Sequence, residues 1–344
     1  MNVRDSFREQ GRVCGRMGSP FMEQLLSIAA ERLTDETDVG ARLLGWSGDP
    51  TPFGDATALR FAAGLHAVVL QGYGPLAEVY PPQTASDEVL WSAVALAMET
   101  QSDVLHAWLD RPPQTNEPRR SAALALGLAH LAARGLNRVT LLELGASAGV
   151  NLMVDHIAVD LGDQRIGADE PALVLSPKVS GQAGPLSPYE VLSARGCDQT
   201  PLLLRDARDQ VALLSYTWPD QPERQARLRT LFEVAARDKA PQVDRADAAL
   251  WLEQALDQDL PPGVVVIWHS VFWQYPPRET QDALRHLITE AGARGDRPLA
   301  WLRLEPDDQN PGAAITLDLW PGGGAEAEHT VLARSGYHGE WLAF

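Results

Sequence analysis

The chain carries a run of small residues that two unrelated classes of enzyme use in different ways. Residues 145–149 read GASAG, which satisfies the G-x-S-x-G pattern of a hydrolase nucleophile elbow centred on Ser147. Read with Glu143 in front, the same residues satisfy a loosened form of the glycine loop that opens a nucleotide-binding βα unit. Ser147 is a catalytic nucleophile in the first interpretation and a small residue of a cofactor loop in the second.

A nucleophile elbow lies inside a sheet whose earlier strands, and whose oxyanion-donating loop, precede it in the chain. Here the sequence before the loop is helical and contains no HGGG-like segment. Histidines that can serve as bases follow it at His269, His329 and His338. The cofactor loop needs only residues that are present, because Gly145 permits a tight turn and Gly149 lets the chain pass close to a ligand. The sequence therefore favours the cofactor loop, with a serine hydrolase using Ser147 as the alternative.

Glu143 distinguishes the two interpretations, because an elbow has no use for an acid at the end of the strand. In methyltransferases that use S-adenosylmethionine, an acid at this position serves the amino-acid end of the cofactor. Asp198, after the next predicted strand, is the candidate for the ribose hydroxyls, with Asp160 and Asp163 as alternatives. Asp247 is the candidate near the adenine, although a helix N-cap also explains it. The predicted cofactor-binding residues are Glu143, Gly145, Ala146, Ser147, Gly149, Asp198 and Asp247.

Two further segments combine polar and aromatic side chains where an α/β protein places its ligand contacts. QTNEPRRS (residues 114–121) precedes a predicted helix, and its Asn116 and Glu117 are interpreted either as caps or as functional hydrogen-bonding groups. HSVFWQY (residues 269–275) follows a buried strand, so His269 is a candidate general base, or a structural histidine bonded to the next loop. The predicted walls of the substrate pocket are Trp218, Trp273 and Tyr275. No H-x-x-H or HExxH spacing indicates a metal site.

The composition limits the classes of partner and compartment. The chain has 344 residues, of which 29 are Lys or Arg and 46 are Asp or Glu, giving a formal net charge of −17. This acidity disfavours general binding to nucleic acid, because a negative surface repels phosphate backbones. Cys14 and Cys197 lack metal or disulfide spacing, no secretory signal is visible, and the apolar runs are too short to span a membrane. We expect a cytoplasmic protein with no membrane partner, whose oligomeric state the sequence leaves open.

The pattern of elements changes near residue 136. Residues 1–135 show helical spacing, with capping residues at Ser19 and Ser86. Residues 136–344 alternate strands with helices, interrupted by a Gly/Pro-rich excursion at about 160–188, and end in two alternating runs joined by a glycine-rich turn. This order predicts an N-terminal helical region followed by an α/β domain with a parallel sheet and a C-terminal antiparallel hairpin.

The predicted order of parallel strands and then a hairpin resembles the Rossmann-like sheet of class I methyltransferases. The chain also resembles a bacterial family known as domain of unknown function 2332, through segments that span nearly its whole length in order. These segments are SPF at Ser19, QTNEPRRS, LLELGASAGVNL, RGCD, WPDQ, VDRADAALWL, HSVFWQY, WLRLEP, LWPGG and GYHGEW. The family resemblance implies that these segments belong together in one protein, and its link to a methyltransferase-like fold is an analogy of fold.

These observations together predict a transferase. The leading hypothesis is an S-adenosylmethionine-dependent methyltransferase acting on a small molecule, with His269 as the base and the loop around Ser147 holding the cofactor. Three alternatives stay open: the serine hydrolase, a dinucleotide-binding protein, and a non-catalytic ligand-binding module on the same fold. The spacing after Gly145 fits the dinucleotide fingerprint G-x-G-x-x-G poorly, because Ser147 and Val150 stand at its glycine positions.

Overall fold

The computed structural model describes residues 1–238, 240–309 and 311–344. Its helices are α1 (Val3–Arg16), α2 (Pro20–Arg32), α3 (Asp38–Leu44), α4 (Thr57–Leu70), α5 (Gly74–Ala77), α6 (Asp87–Thr100), α7 (Ser102–Leu109), α8 (Ser121–Ala133), α9 (Ala207–Ser215), α10 (Pro222–Arg237), α11 (Ala248–Leu256) and α12 (Arg278–Arg294). Two 3₁₀ helices cover Pro118–Arg120 and Val150–His156. The strands are β1 (Arg138–Leu144), β2 (Ile157–Asp160), β3 (Arg165–Gly167), β4 (Leu173–Leu175), β5 (Lys178–Ser180), β6 (Glu190–Asp198), β7 (Gln242–Arg245), β8 (Val264–Ser270), β9 (Leu299–Glu305), β10 (Ala313–Trp320), β11 (Glu328–Ser335) and β12 (Trp341–Ala343).

The chain forms two compact units, and each contains two separate stretches of sequence. One unit comprises residues 1–115 with 206–226, and the other comprises residues 116–205 with 227–344. These units do not coincide with the two regions drawn from the sequence at residue 135. The reason is packing, because α8 lies against the strands of the second unit while α9 packs against α4 in the first.

The first unit is helical, as the spacing in residues 1–135 predicts. Ser19 caps α2, since its Oγ accepts the Met22 N–H, and the same hydroxyl donates to Asp220 at 2.6 Å. Asp220 also accepts the Phe21 N–H at 3.0 Å, so this acid holds the start of α2. The apolar faces of the helices enclose one core, and Trp218 is buried in it.

The second unit contains a nine-stranded, mostly parallel sheet with helices. Its strand order is β5-β12-β11-β10-β9-β8-β1-β6-β7. The strands β7, β6, β1, β8 and β9 run parallel, whereas β10 pairs antiparallel with β9 and β11 antiparallel with β10. The predicted parallel strands and the C-terminal hairpin are therefore confirmed. The order reverses at β1, because the chain continues to one side with β6 and to the other with β8.

The two faces of this sheet present different residues at the carboxyl ends of the strands. Glu143 on β1 lies beside Trp268 on β8, while His269 lies beside Arg303 on β9. Since successive strand residues point to opposite faces, the first pair and the second pair lie on opposite sides of the sheet. Helix α8 covers the Glu143 side, where Gly127 lies against Leu302. Helices α11 and α12 bury the other side in an apolar core.

The connection from β1 to β6 differs from the predicted strand–helix–strand unit. The apolar segment after the loop forms the 3₁₀ helix Val150–His156, with a kink at Met153. It leads into a small sheet of order β3-β2-β4, which occupies the stretch predicted to be an irregular excursion. In the described ranges, no helix combines the length and the apolar character that a membrane crossing requires. Nor does this part of the chain place three or more His, Cys, Asp or Glu side chains to hold a metal ion.

Candidate functional site

The loop after β1 has three residues in the left-handed region. Their φ angles are 68° at Gly145, 53° at Ser147 and 77° at Gly149. Gly145 has no room for a side chain, because a Cβ there would lie 2.3 Å from the Phe272 ring. Ser147 is the one residue of the three that is not glycine, and non-glycine residues rarely adopt a positive φ. The loop therefore has a fixed and constrained shape at the carboxyl end of the strand.

Two side chains from distant parts of the sequence hold this shape. Oδ1 of Asn116 accepts the N–H groups of Ala148 and Val150, at 3.1 and 3.3 Å. Oδ2 of Asp198, at the end of β6, accepts the N–H of Ser147 at 2.9 Å. Both predicted site residues therefore lie at the loop, where they bind its backbone. The predicted alternative Asp160 instead caps its own exposed turn by accepting the Gly162 N–H.

Glu143 lies beneath the loop and is 2% exposed. Its Oε1 accepts a hydrogen bond from Asn151 Nδ2 at 3.1 Å, and Ser121 Oγ donates to the other side of that amide at 2.9 Å. Oε2 makes no hydrogen bond among the described residues. The Trp268 indole N–H comes near enough to lower the pKa of Glu143, but it does not reach hydrogen-bond geometry. Such an unsatisfied buried oxygen calls for a ligand or a proton.

Burial raises the pKa of Glu143 to about 8. The Asn151 amide, the Trp268 indole and the positive charge of Arg120 lower it, while the Asp198 carboxylate raises it further. The loss of hydration outweighs the favourable partners, because a charged carboxylate is costly away from water. At neutral pH the Glu143 carboxyl therefore carries a proton, which a cationic ligand would displace.

The remaining predicted polar residues have backbone and ion-pair partners. Asp247 caps α11, since its Oδ1 accepts the N–H groups of Ala249 and Leu250. Glu117 is buried, accepts the Arg119 N–H at 3.2 Å and pairs with Arg227 at 3.5 Å. These contacts account for both carboxylates structurally. Their proposed roles near the adenine and in catalysis stay predictions.

His269 is fully buried and has a partner at each ring nitrogen. Trp301 Nε1 donates to its Nε2 at 3.0 Å, and Nδ1 lies 2.6 Å from Oε1 of Glu305. Because an indole N–H can only donate, Nε2 is the acceptor and the proton is on Nδ1, which donates to Glu305. A base role for His269 therefore requires Trp301 to leave Nε2. The same pairing leaves His269 without a nitrogen for Ser147, which weakens the hydrolase alternative.

The predicted aromatic walls have three different environments. Trp273 stacks on His269 with ring centres 5.1 Å apart, and both line a cavity of about 300 Å³. Tyr275 is 72% exposed and does not line this cavity. Trp218 belongs to the core of the helical unit, where Arg224 lies over its ring at 5.7 Å. Of the three, only Trp273 thus lies beside a predicted catalytic residue within the unit that holds the sheet.

The chain matches one protein family along nearly its whole length. The sequence profile of the family described as "Uncharacterized protein conserved in bacteria (DUF2332)" covers residues 4–344. The chain belongs to this family. No match was found among curated proteins, and none among solved structures. In this DUF2332 protein, the segments QTNEPRRS and LLELGASAGVNL supply the loop and Glu143, while HSVFWQY and WLRLEP supply His269 and Glu305.

Two residues of these clusters escaped the sequence analysis. They are Asn151, whose amide joins Glu143 to Ser121, and Trp301, which donates to His269. Such residues look like ordinary core or helix positions in the sequence. Glu305 has a visible signal, because it is the acid at the end of strand β9.

We expect the Asn116→Ala variant to lose about 2–4 kcal/mol of folding free energy, because two buried N–H groups would lack an acceptor. Asn116→Asp should retain most of that stability, since a carboxylate oxygen accepts the same bonds. Urea unfolding at neutral pH measures both effects, with the exposed Asn137→Ala as the control, expected within about 0.5 kcal/mol of the wild type. An Asn116→Ala variant as stable as the control would show that Asn116 does not hold the loop.

Proposed function

We propose that this protein is an S-adenosylmethionine-dependent methyltransferase whose acceptor is a small molecule. The observation that carries the proposal is Glu143, a buried carboxyl at the carboxyl end of β1 with one oxygen that lacks a partner. It lies beside a glycine loop at the strand where the sheet order reverses. In open α/β sheets this reversal is the place where ligands bind.

The topology supports a nucleotide ligand. Numbered by their order along the chain, the five parallel strands follow the order 3-2-1-4-5, which is the order of the mononucleotide- and dinucleotide-binding sheets. The antiparallel hairpin adds to the edge beyond the fifth of these strands. A class I methyltransferase-like sheet is the interpretation that agrees with both features and with the acid on the first strand.

The side chains around the loop are suited to bind S-adenosylmethionine. Glu143 would hold the amino group of its amino-acid end, and Asp198 would hold the ribose hydroxyls with the lone pairs that its backbone contacts leave. The loop 145–149 contributes shape, because Asn116 and Asp198 already take the amides of Ser147, Ala148 and Val150. When bound, the cofactor supplies an electrophilic methyl group. The chain's own part is to position that group and the acceptor and to exclude water.

Phe272 must take part in this arrangement, because its ring lies against the position of Gly145. Its backbone N–H donates to Glu305 at 2.9 Å, so it connects the loop to the His269 cluster. A ligand on the loop would therefore lie next to this ring and to the His269 cluster. We propose that the methyl acceptor binds beside the His269 cluster.

Equilibrium dialysis with S-adenosylhomocysteine at pH 7.5 tests the proposal. We expect wild-type protein to bind it and Glu143→Gln to bind at least about tenfold more weakly, since the charge-assisted bond is lost. The exposed Glu253→Gln variant serves as the control and should bind as the wild type does. Equal affinity of wild type and Glu143→Gln would remove Glu143 from the site.

A further inference from the structure

One edge of the nine-stranded sheet has no neighbouring strand. Strand β5 ends the sheet and, among the described residues, pairs only with β12, in parallel. Lys178 donates its N–H to the carbonyl of Glu340 at 2.9 Å. The carbonyl of Ser180 accepts the Phe344 N–H at 3.0 Å. Because alternate residues of a parallel strand bond to the same neighbour, the N–H and C=O of Val179 face away from β12.

These outward groups of Val179 lie on an open edge. Within the described ranges they make no backbone hydrogen bond, and neither do those of residues 181–183. Val179 itself is 37% exposed. An unpaired strand edge of this kind accepts an extended segment of another chain as a further strand. Since β5 has only three residues, such a segment needs side-chain contacts as well as backbone bonds.

A cavity of about 640 Å³ lies beside this edge and offers those contacts. Leu161, Val179 and Phe344 contribute apolar surface to its wall. Asp160 and Asp163, from the turn between β2 and β3, contribute two exposed carboxylates. The cavity therefore combines a place for an apolar side chain with two negative charges.

The charge of this surface selects the kind of partner. Asp163 makes no hydrogen bond or ion pair with the described part of the chain, so its charge faces solvent. Lys178 alternates to the opposite face of β5 and does not line the cavity. The chain as a whole has a formal net charge of −17, which opposes docking of a second copy. A basic segment is the occupant that complements this surface.

We propose that the edge of β5 binds an extended, basic segment of a partner protein by strand addition. The backbone of that segment pairs with Val179, an apolar side chain enters the cavity, and a Lys or Arg side chain contacts Asp160 or Asp163. Backbone pairing provides affinity, while the cavity and the carboxylates select the sequence. The proposed methyl transfer uses none of these residues, so this proposal is independent of the proposed function.

Two variants separate the backbone contact from the charge contact. Val179→Pro removes the N–H that faces the partner, and it breaks no bond to β12 because that N–H points outwards. Asp163→Asn removes one of the two charges and keeps the size of the side chain. Asp259→Asn, at an exposed acid elsewhere in the same unit, is the matched control.

Binding is measured by fluorescence anisotropy of a labelled peptide of alternating Lys and Val, with a peptide of alternating Glu and Val as the charge control. We expect wild type and Asp259→Asn to bind the Lys peptide with a dissociation constant of about 100 μM and to prefer it to the Glu peptide. Val179→Pro should bind it at least about tenfold more weakly, and Asp163→Asn about threefold more weakly. In the wild type, the Lys peptide should slow deuterium exchange of the amides in residues 177–183.

The proposal is overturned if the wild type does not bind the Lys peptide, binds both peptides equally, or binds the Lys peptide no better than Val179→Pro does. Unchanged exchange in residues 177–183 would also overturn it, and this measurement stays decisive even if Val179→Pro fails to fold. A wild-type dimer that Val179→Pro dissociates in sedimentation equilibrium would instead assign the edge to a second copy.

Discussion

The Glu143→Gln variant should be more stable than the wild-type protein at pH 9 by about 3–5 kcal/mol, and about equally stable at pH 5. Burial raises the pKa of Glu143 from its ordinary value of 4.5 to about 8. Between pH 4.5 and pH 8, the folded protein therefore holds a proton that the unfolded chain has released.

The sign follows from proton linkage. Below about pH 4.5 both states bind the proton, and the carboxyl imposes no penalty on folding. As the pH rises towards 8, the unfolded chain gains a hydrated carboxylate while the folded protein does not, so the free energy of unfolding falls. Glutamine keeps the acceptor for Asn151 Nδ2 and cannot ionise, so the variant lacks this fall.

Urea unfolding of both proteins at half-unit steps from pH 5 to pH 9 measures the effect as a difference, in which the other titrating groups cancel. Glu253→Gln should follow the wild type throughout, since that side chain is exposed. The difference in the free energy of unfolding between wild type and Glu143→Gln should change with pH. If it stays constant across this range, the Glu143 carboxyl is hydrated and not buried.

Gly145→Ala should destabilise the protein by about 2–5 kcal/mol. Two causes add. An alanine at a φ of 68° has a cost of about 1–2 kcal/mol, and its Cβ would lie 2.3 Å from the Phe272 ring. The ring cannot move freely, because it packs near His269 with ring centres 5.6 Å apart.

Gly135→Ala is the matched control, because Gly135 has a φ of 85° and nothing within 4 Å of an added Cβ. It should show the backbone cost alone, about 1–2 kcal/mol. Combining Gly145→Ala with Phe272→Ala in a double-mutant cycle then isolates the overlap, with an expected coupling of about 1–3 kcal/mol. Additive effects in the cycle, or equal costs at Gly145 and Gly135, would show that Phe272 does not cover the loop.

The sequence predicted the strand pattern and the loop because both follow from local rules. The apolar run before Gly145, the buried strand before His269 and the glycine-rich turn of the hairpin each have a signature within a few residues. The sequence favours Asp198 over Asp160 and Asp163 because Asp198 ends a strand, and in the structure its carboxylate accepts the N–H of Ser147 in the loop. Its predicted role at a ribose remains part of the proposal.

The contacts around the Glu143 loop and around His269 join residues that are far apart in the sequence, and no local pattern reveals them. Asn116 accepts hydrogen bonds from a loop more than thirty residues later in the chain. Trp301 donates to His269 only because β8 and β9 are neighbours in the sheet. Long-range packing also explains why the observed units differ from the boundary predicted at residue 135. Helix α8 looks like the last of a helical series, yet it packs on the sheet where Gly127 admits Leu302.

We propose that Glu143 and the glycine loop hold the amino-acid end of an S-adenosyl compound. The most direct test of this proposal is calorimetric titration of wild-type protein with S-adenosylhomocysteine at pH 7, in two buffers with different heats of ionisation. We expect binding with release of up to about one proton, because the ligand's ammonium group lowers the pKa of the Glu143 carboxyl, which is protonated beforehand. Absence of binding at millimolar ligand, or binding without proton release, would contradict it.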